Sequence, residues 1–357
     1  MSTRSAADEE AASQEHKHLF FDDYSEGAHP DILDVLQETN LQQERGYGLD
    51  RLSARAVQLI HAALKDRSAA IHFVSGGTQA NLVVLAALLK PYESVVAAGT
   101  AHIFVHEAGA IEATGHRVQT IHAPLGKLTV QSLKPVIEAH SDEHMVKPRA
   151  VFISQPTELG TIYTKSELRA LYRFCRHHDL YLYIDGARLG SALAAKESKL
   201  TFADLPALCD VFYIGATKNG GLFGEAIVIV NERLKQDFRY HLKQRGALLA
   251  KGRAIAAQFI ALFANGLYLK NAEHANEMAS KLAAGIEACG YGFLTNCVTN
   301  QIFPVFPNRV VEALRKDYGF HSWLSVGQER TAVRLVTSWA TEEAAVDDFL
   351  ADLKACS

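Results

Sequence analysis

A lysine that follows a predicted strand is the first residue that could do chemistry. The stretch D-V-F-Y-I-G-A-T-K-N, residues 210–219, is a short apolar run that ends at Gly215 and is followed by Lys218. This pattern predicts a buried strand that runs into a tight turn. In open α/β sheets, ligands bind outside the carboxyl ends of the strands. A lysine among small and apolar residues is poorly solvated, which favours its neutral, nucleophilic form.

Two further predicted strands, upstream of Lys218, also end in residues that could do chemistry. The run L-Y-L-Y-I-D-G-A-R, residues 180–188, places Asp185 at the end of an apolar strand. The run I-H-F-V-S-G-G-T-Q-A-N, residues 71–81, predicts a strand, a glycine turn and a helix that begins near Thr78. Free N–H groups at such a helix start bind anions, and Gly77 lets the backbone come close to one. A phosphate cradle, a carboxylate and a lysine in this order are the groups that pyridoxal phosphate requires.

The elements that must position these groups alternate along the chain. Strands are predicted at Ile71–Val74, Ser94–Ala98, Val118–Ile121, Ala150–Ser154, Leu180–Ile184, Val211–Ile214 and Ala226–Val230. Helices are predicted at Asp31–Thr39, Arg51–Lys65, Thr78–Lys90, Ile103–Ala113, Val130–His140, Lys165–His178 and Ala187–Ala195. This alternation predicts an α/β fold with a mainly parallel, doubly wound sheet that is covered on both faces.

The pattern changes after Asn231. Helical patterns dominate up to about Cys289, with a long one at Ala254–Leu269. Short strands at Gln301–Val305 and Val333–Val336 then enclose a helix at Asn308–Tyr318, and a last helix is predicted at Thr341–Leu353. The sequence therefore predicts a disordered tail (1–18), a large cofactor-binding domain (19–245) and a smaller C-terminal α+β domain (246–357).

Composition excludes several classes of function. The chain has 357 residues and a net charge of −4 with acids and bases mixed, so no nucleic-acid surface or polybasic membrane patch is expected. The longest apolar run is too short to span a bilayer, and the polar N-terminus has no signal region. Five scattered cysteines without a C-x-x-C pair argue against a disulfide framework and favour a reducing compartment, so a cytoplasmic location is expected. No G-x-G-x-x-G follows the first strand, which disfavours a dinucleotide-binding oxidoreductase.

Motifs along nearly the whole chain after the tail carry a resemblance. They are S-G-G-T-Q-A-N at 75–81, A-H-I-F-V-H-E-A-G at 101–109, D-G-A-R at 185–188, A-T-K at 216–218 and V-R-L-V-T at 333–337. Together the chain resembles the threonine aldolase and β-eliminating lyase family of fold-type-I pyridoxal-phosphate enzymes. The resemblance implies retro-aldol cleavage of L-threonine or L-allo-threonine to glycine and an aldehyde. β-Elimination or transamination on the same scaffold is the alternative, and a catalytically silent interaction partner is a third possibility.

The resemblance also assigns roles to the cofactor-binding residues. It implies that Lys218 forms the Schiff base, Asp185 pairs with the pyridine nitrogen, and Arg188 bonds the phenolic oxygen. From the residues alone, Asp185 could instead cap the following helix. Gly77 and Thr78 are expected to bind the phosphate.

A basic residue from a neighbouring subunit is expected to add charge at the phosphate. Lys251, in A-K-G-R, is the predicted residue, with Arg253 as its competitor. This expectation comes from the resemblance, which also implies a homodimer or a homotetramer.

The substrate-binding residues follow from the same resemblance. Arg334 and Arg188 are expected to bind the substrate carboxylate, since a guanidinium matches a carboxylate in two parallel bonds. Ser25, in the N-terminal loop, is expected to approach the same carboxylate. His102 is expected to stack on the pyridine ring, with Glu107 supporting its loop, although a lone histidine is most often only a loop residue.

One position departs from the family pattern. Many threonine aldolases have a histidine in a T-H-x-G stretch, where this chain has T-E-L-G with Glu158. A partly buried glutamate can also accept the proton of the substrate hydroxyl, so Glu158 and His102 are the candidate bases. His102 and His106 have no convincing third ligand nearby in the sequence, so no metal site is predicted.

Overall fold

The computed structural model describes residues 16–356. The strands are β1 (His18–Leu19), β2 (Ala70–Val74), β3 (Glu93–Ala98), β4 (Arg117–Ile121), β5 (Lys147–Ser154), β6 (Tyr181–Asp185), β7 (Val211–Gly215), β8 (Glu225–Ile229), β9 (Gly292–Phe293), β10 (Gln301–Ile302), β11 (Pro304–Pro307), β12 (Tyr318–Gly319), β13 (His321–Ser325) and β14 (Arg330–Val336). The α-helices are Pro30–Thr39, Arg51–Leu64, Gly77–Leu88, His102–Val105, Val130–Ala139, Lys165–His177, Leu189–Ala194, Phe238–Gln244, Arg253–Ala264, Leu267–Ala288, Asn308–Leu314 and Glu343–Cys356. Short 3₁₀ helices lie at Glu112–Thr114, Pro124–Gly126, Phe202–Ala207 and Glu232–Leu234.

A seven-stranded sheet forms the centre of the molecule, with the strand order β2-β8-β7-β6-β5-β3-β4. β8 runs antiparallel to both of its neighbours, β2 and β7, while the other neighbouring pairs are parallel. Every residue of β3, β7 and β8 is buried, as expected when helices cover both faces. The predicted mainly parallel, doubly wound sheet is therefore confirmed. β6 and β7 are neighbours and parallel, so the turns that follow Asp185 and Gly215 lie side by side.

A second, antiparallel sheet is built from the C-terminal part of the chain. Its strand order is β10-β14-β11-β9, and β13 also pairs with β14. Its core packs against the helices Leu267–Ala288 and Glu343–Cys356 and includes Phe20 from the start of the chain. β1 pairs in parallel with β12 in a separate two-stranded sheet, which fastens the N-terminal segment to the C-terminal part of the chain.

The structure can be compared with the two predicted domain boundaries, at residues 18/19 and 245/246. Most of the predicted tail, residues 1–15, lies outside the described residues. His18 pairs with Tyr318 in β1, and the end of the tail at residue 18 stays a prediction. The main core extends through the helix Arg253–Ala264 to Tyr268, and the second core begins at Met278. The division at 245/246 stays a prediction, and these cores favour a change of domain within the helix Leu267–Ala288.

Three predicted helices are shorter than expected. The helix at 103–113 is replaced by a single turn, His102–Val105, because Ala108 and Gly109 adopt positive φ angles of 50° and 74°. The predicted helix Ala254–Leu269 is split at Gly266, which has a φ of 70°. The helix from Asn308 ends at Leu314, since Tyr318 is taken up by β12.

No helix among residues 16–356 combines the length and the apolar character needed to cross a membrane.

Candidate active site

Two adjoining cavities open beyond the carboxyl ends of β5, β6 and β7. The inner cavity has a volume of about 340 Å³ and the outer cavity about 450 Å³. Five residues line both cavities: Tyr24, His102, Glu158, Arg188 and Lys218. The inner cavity adds Gly77, Thr78, Asp185, Tyr213, Thr217 and Glu225. The outer cavity adds Asp22, His106, Gln301, His321, Trp323 and Arg334.

Lys218 lies where the two cavities meet. It follows β7 by three residues, as the sequence predicts, and it is half-buried. Burial and the positive charge of Arg188 lower the pKa of its amine. Its Nζ atom lies 5.7 Å from the centroid of the Tyr24 ring. The site therefore favours the neutral amine that a nucleophile requires.

Asp185 ends β6 and is 4% exposed. Its carboxylate accepts hydrogen bonds from the Tyr213 hydroxyl at 2.6 Å, from the Ala187 backbone N–H at 3.0 Å and from Asn81 Nδ2 at 3.2 Å. The next helix begins only at Leu189, so Asp185 does not cap it. Three donors instead fix the direction of a carboxylate that lines the inner cavity.

The turn after Asp185 depends on a close backbone approach at Gly186. The Gly215 N–H donates to the Gly186 carbonyl at 3.0 Å, and a Cβ on Gly186 would lie 1.9 Å from the Tyr213 carbonyl oxygen. No side-chain rearrangement relieves a clash with backbone.

We expect Gly186→Ala to lower the free energy of unfolding by about 3 kcal/mol, at the upper end of overpacking effects. Chemical denaturation of the cofactor-free protein measures this. Gly292→Ala is the matched control, because a Cβ there meets no atom within 4 Å. Equal stability of the two variants would contradict the prediction.

The helix Gly77–Leu88 begins where the sequence predicts a phosphate cradle. Its N-cap is Gly76, and no side chain caps its first N–H groups. A Cβ on Gly77 would lie 3.1 Å from the Tyr213 hydroxyl oxygen, so a larger residue would crowd the floor of the cavity. Uncapped N–H groups at a helix start bind phosphate.

These residues fit pyridoxal phosphate. Gly77 and Thr78 would hold its phosphate at the helix start, Asp185 would hold its pyridine nitrogen, and Lys218 would bind its aldehyde carbon. The fit rests on the uncapped helix start, the oriented carboxylate and the lysine of lowered pKa in one cavity.

A buried network joins His102 to Asp185. His102 Nδ1 lies 2.8 Å from Glu107 Oε1, and the same oxygen accepts from Asn81 Nδ2 at 2.7 Å. Asn81 Nδ2 also donates to Asp185, while its Oδ1 accepts from the Tyr183 hydroxyl at 2.8 Å. Glu107 therefore supports the histidine as the sequence predicts, and it fixes the direction of the imidazole ring.

Glu158 lines both cavities beside this histidine. Its Oε1 accepts from the His102 backbone N–H at 3.0 Å and from the Ser154 hydroxyl at 2.6 Å. Burial, with a further contribution from the charge of Asp185, raises the pKa of the Glu158 carboxyl. A carboxyl with a raised pKa can hold a proton closer to neutral pH.

The two predicted arginines differ in what they bind. Arg188 forms a two-point ion pair with the fully buried Asp23, through Nε at 2.6 Å and Nη2 at 3.0 Å. Arg334 Nη2 donates to the Phe21 carbonyl at 3.0 Å and to Asp22 at 2.9 Å. Its buried Nε has no hydrogen-bond partner among the described residues. Arg334 therefore lines the outer cavity with one guanidinium N–H group that no described residue satisfies.

Two predicted residues lie away from the cavities of their own chain. Ser25 is exposed and lines neither cavity of its own chain, and its contact with the substrate stays a prediction. Asp22 and Tyr24, from the same segment, line the outer cavity. Lys251 is also exposed and lines neither cavity, and its role toward a neighbouring subunit stays a prediction. Arg253 donates to two backbone carbonyls of its own chain.

Glu225 is a site residue that the sequence reasoning missed. It is 4% exposed and accepts from the Ala216 backbone N–H and from the Thr217 hydroxyl, both at 2.9 Å. Burial raises the pKa of its carboxyl to about 8. The available signal was an acidic residue at the start of an otherwise apolar strand, E-A-I-V-I.

His106 also lines the outer cavity. Its ring centroid lies 5.4 Å from that of His102, and burial with nearby positive charge lowers its pKa to about 4. No group of three His, Cys, Asp or Glu side chains within residues 16–356 is placed to hold a metal ion.

Comparisons with known proteins identify the family and the fold of this chain. The Beta-eliminating lyase family model matches residues 24–307. A low specificity L-threonine aldolase from Pseudomonas sp. (strain NCIMB 10558) is 35% identical over 94% of this chain and 96% of its own length. The solved structure of the Leishmania major threonine aldolase has a TM-score of 0.93 and 45% identity, covering 95% of this chain and 99% of that one. A Thermus thermophilus aspartate aminotransferase, at 15% identity and a TM-score of 0.72, shares the fold.

The fold is therefore that of the fold-type-I pyridoxal-phosphate enzymes. Within that class, the chain belongs to the β-eliminating lyase family, whose enzymes use pyridoxal phosphate. The resemblance predicted from the sequence motifs is confirmed.

Proposed function

We propose that this chain is a pyridoxal-phosphate-dependent L-threonine aldolase that cleaves L-threonine and L-allo-threonine to glycine and acetaldehyde. The nearly full-length similarity to threonine aldolases supports this proposal. The observation that carries it is the position of Lys218 at the junction of an inner cavity suited to the cofactor and an outer cavity that contains Arg334.

The chain's own residues divide the work. The bound cofactor supplies an electron sink for the pair released when the Cα–Cβ bond breaks. Arg334 binds the substrate carboxylate and thereby orients the bond to be broken. Lys218, whose amine has a lowered pKa, would hold the cofactor through its neutral amine.

The β-hydroxyl proton needs an acceptor in the outer cavity. His102 has Nδ1 engaged by Glu107, which leaves Nε2 for a substrate or a water. Glu158 has Oε1 engaged by Ser154 and the His102 N–H, which leaves Oε2. Both remain candidates, and Glu158 is the one that replaces the family histidine.

Three further proposals concern the oligomeric state, the domain division and the cellular location of the enzyme. We propose a homodimer or homotetramer in which the exposed Lys251 reaches a neighbouring phosphate site. We propose a large cofactor domain and a smaller C-terminal domain, because the two largest apolar cores among residues 16–356 are separate. A cytoplasmic location is supported by the five cysteines, which all lie within residues 16–356 and are unpaired there.

The direct test is aldehyde release by the purified, cofactor-loaded protein. Rapid acetaldehyde release is expected from L-threonine and L-allo-threonine, with D-threonine and L-serine as controls. A yellow protein that releases no aldehyde would move the assignment to β-elimination or transamination. Oxoacid formation or a final pyridoxamine spectrum would then identify which of the two occurs.

Arg334→Ala is expected to raise the KM for L-threonine about 10- to 100-fold, with a smaller change in kcat. A hydrogen bond to a charged group contributes about 1.5–3 kcal/mol, which corresponds to that range. Steady-state kinetics measure the effect, and the exposed Arg67→Ala serves as the control. An unchanged KM in Arg334→Ala would remove Arg334 from the substrate site.

A further inference from the structure

The outer cavity contains a glutamine for which neither the fold nor the proposed mechanism accounts. Gln301 begins β10, is 1% exposed and lines this cavity. Its Nε2 has no hydrogen-bond partner among the described residues. An unsatisfied buried amide donor costs folding free energy, so a ligand that accepts from it is the physical explanation to test.

The strand register places Gln301 in line with Arg334. Gln301 pairs with Val336, and His321 pairs with Arg334 across the other edge of β14. Residues two apart on a strand share a face, as do residues directly opposite each other. Gln301, Arg334 and His321 therefore occupy one face of the small sheet, and all three line the outer cavity.

Two buried donors in this row lack a partner. They are Nε2 of Gln301 and Nε of Arg334, within the described residues. The nearby carboxylates do not serve them, since Asp22 is bonded to Arg334 Nη2 and Asp23 to Arg188. A ligand that satisfies both donors must present acceptor atoms toward them, and a carboxylate does so with its two oxygens.

The chemistry of the site explains a neutral donor at this position. Burial and the charge of Arg188 already lower the pKa of Arg334. A third cation would be costly there, whereas an amide adds a donor without adding charge. The backbone of Gln301 is held in place by its pairing with Val336 of β14.

We propose that Gln301 is a second determinant of amino-acid binding, whose side-chain amide donates to the substrate carboxylate beside Arg334. This inference rests on the proposed function, because it places the α-carboxylate of an amino acid in the outer cavity. It makes Gln301 a specificity residue for α-amino acids over amines that lack the carboxylate.

The test compares glycine binding to cofactor-loaded wild-type protein and Gln301→Met by calorimetry. Methionine keeps the volume of glutamine and removes the donor. The expected result is a Kd for glycine raised about tenfold, as for a lost hydrogen bond to a charged group. The melting temperature is expected to stay the same or rise, because an unsatisfied polar group has been removed. Gln301→Glu should weaken the binding of glycine further, because its carboxylate repels the carboxylate of glycine.

Two controls isolate the contact. Gln119→Met changes a buried strand glutamine that bonds His140 and lines neither cavity, and it should leave the Kd for glycine unchanged. Arg334→Ala shows how far the Kd for glycine rises when the main carboxylate-binding residue is removed.

An unchanged Kd for glycine in Gln301→Met overturns the proposal, as does a lowered melting temperature, which would make the amide a structural group. An effect on L-threonine but not on glycine also overturns it, because glycine has no β-hydroxyl. These results do not depend on aldehyde release, so a failure of the aldolase assignment appears separately, as absent acetaldehyde from the wild-type protein.

Discussion

Lys218→Ala should abolish the visible absorption band of the bound cofactor and reduce aldehyde release by at least about 10⁴-fold, the upper range for one acid–base group. The reason is that the proposed function assigns the covalent attachment to Lys218, whose amine of lowered pKa lies at the junction of the two cavities. Absorption spectroscopy of the reconstituted protein and kinetics with L-threonine measure the two effects.

The cofactor-free Lys218→Ala protein should be at least as stable as wild type, because burial penalises the charged amine that is removed. Thermal unfolding therefore separates lost chemistry from lost folding. Lys134→Ala is the matched control, since Lys134 is exposed and pairs only with Glu138 four residues on. A Lys218→Ala protein that keeps the band would show that another group binds the cofactor.

The central sheet could be predicted because its signal is local. Each of its seven strands is an apolar run bounded by turn residues, and each was placed to within three residues at either end. The antiparallel direction of β8 could not be predicted, because direction depends on which neighbour a strand pairs with. β13 was missed because H-S-W-L-S has no buried residue and no apolar run. The helix predicted after His102 does not form, because Ala108 and Gly109 adopt positive φ angles. Those angles depend on contacts in the folded chain, which the local sequence does not reveal.

Some residues of the candidate site could likewise be predicted from the sequence, and others could not. Lys218, Asp185 and Gly77 were predicted because each follows a recognisable strand, and parallel strands bring their carboxyl ends to one edge. Asp23 and Gln301 could not be predicted as site residues, because they lie in segments far along the chain from Lys218 and Asp185. Only the folded chain brings Asp23 against Arg188 and lines Gln301 up with Arg334.

Asp185→Asn is the second variant for which a large loss is expected. The asparagine Oδ1 can still accept from the Tyr213 hydroxyl and the Ala187 N–H, so the fold should be retained. The lost quantity is the negative charge that the family resemblance pairs with the pyridine nitrogen. Removing one partner of a buried ion pair costs about 3–5 kcal/mol, which corresponds to a loss of about 10²- to 5 × 10³-fold in kcat/KM. Kinetics with L-threonine and cofactor binding by fluorescence measure this effect.

Tyr213→Phe distinguishes the charge of Asp185 from its position. This variant removes the 2.6 Å hydrogen bond to the carboxylate but keeps the charge, so a loss of only about tenfold is expected. If Asp185→Asn and Tyr213→Phe lose the same activity, the orientation of residue 185 matters and its charge does not. If the aspartate variant loses far more, the carboxylate acts by holding a proton on the cofactor. Its hydrogen bonds to Asn81, Ala187 and Tyr213 then serve to aim it.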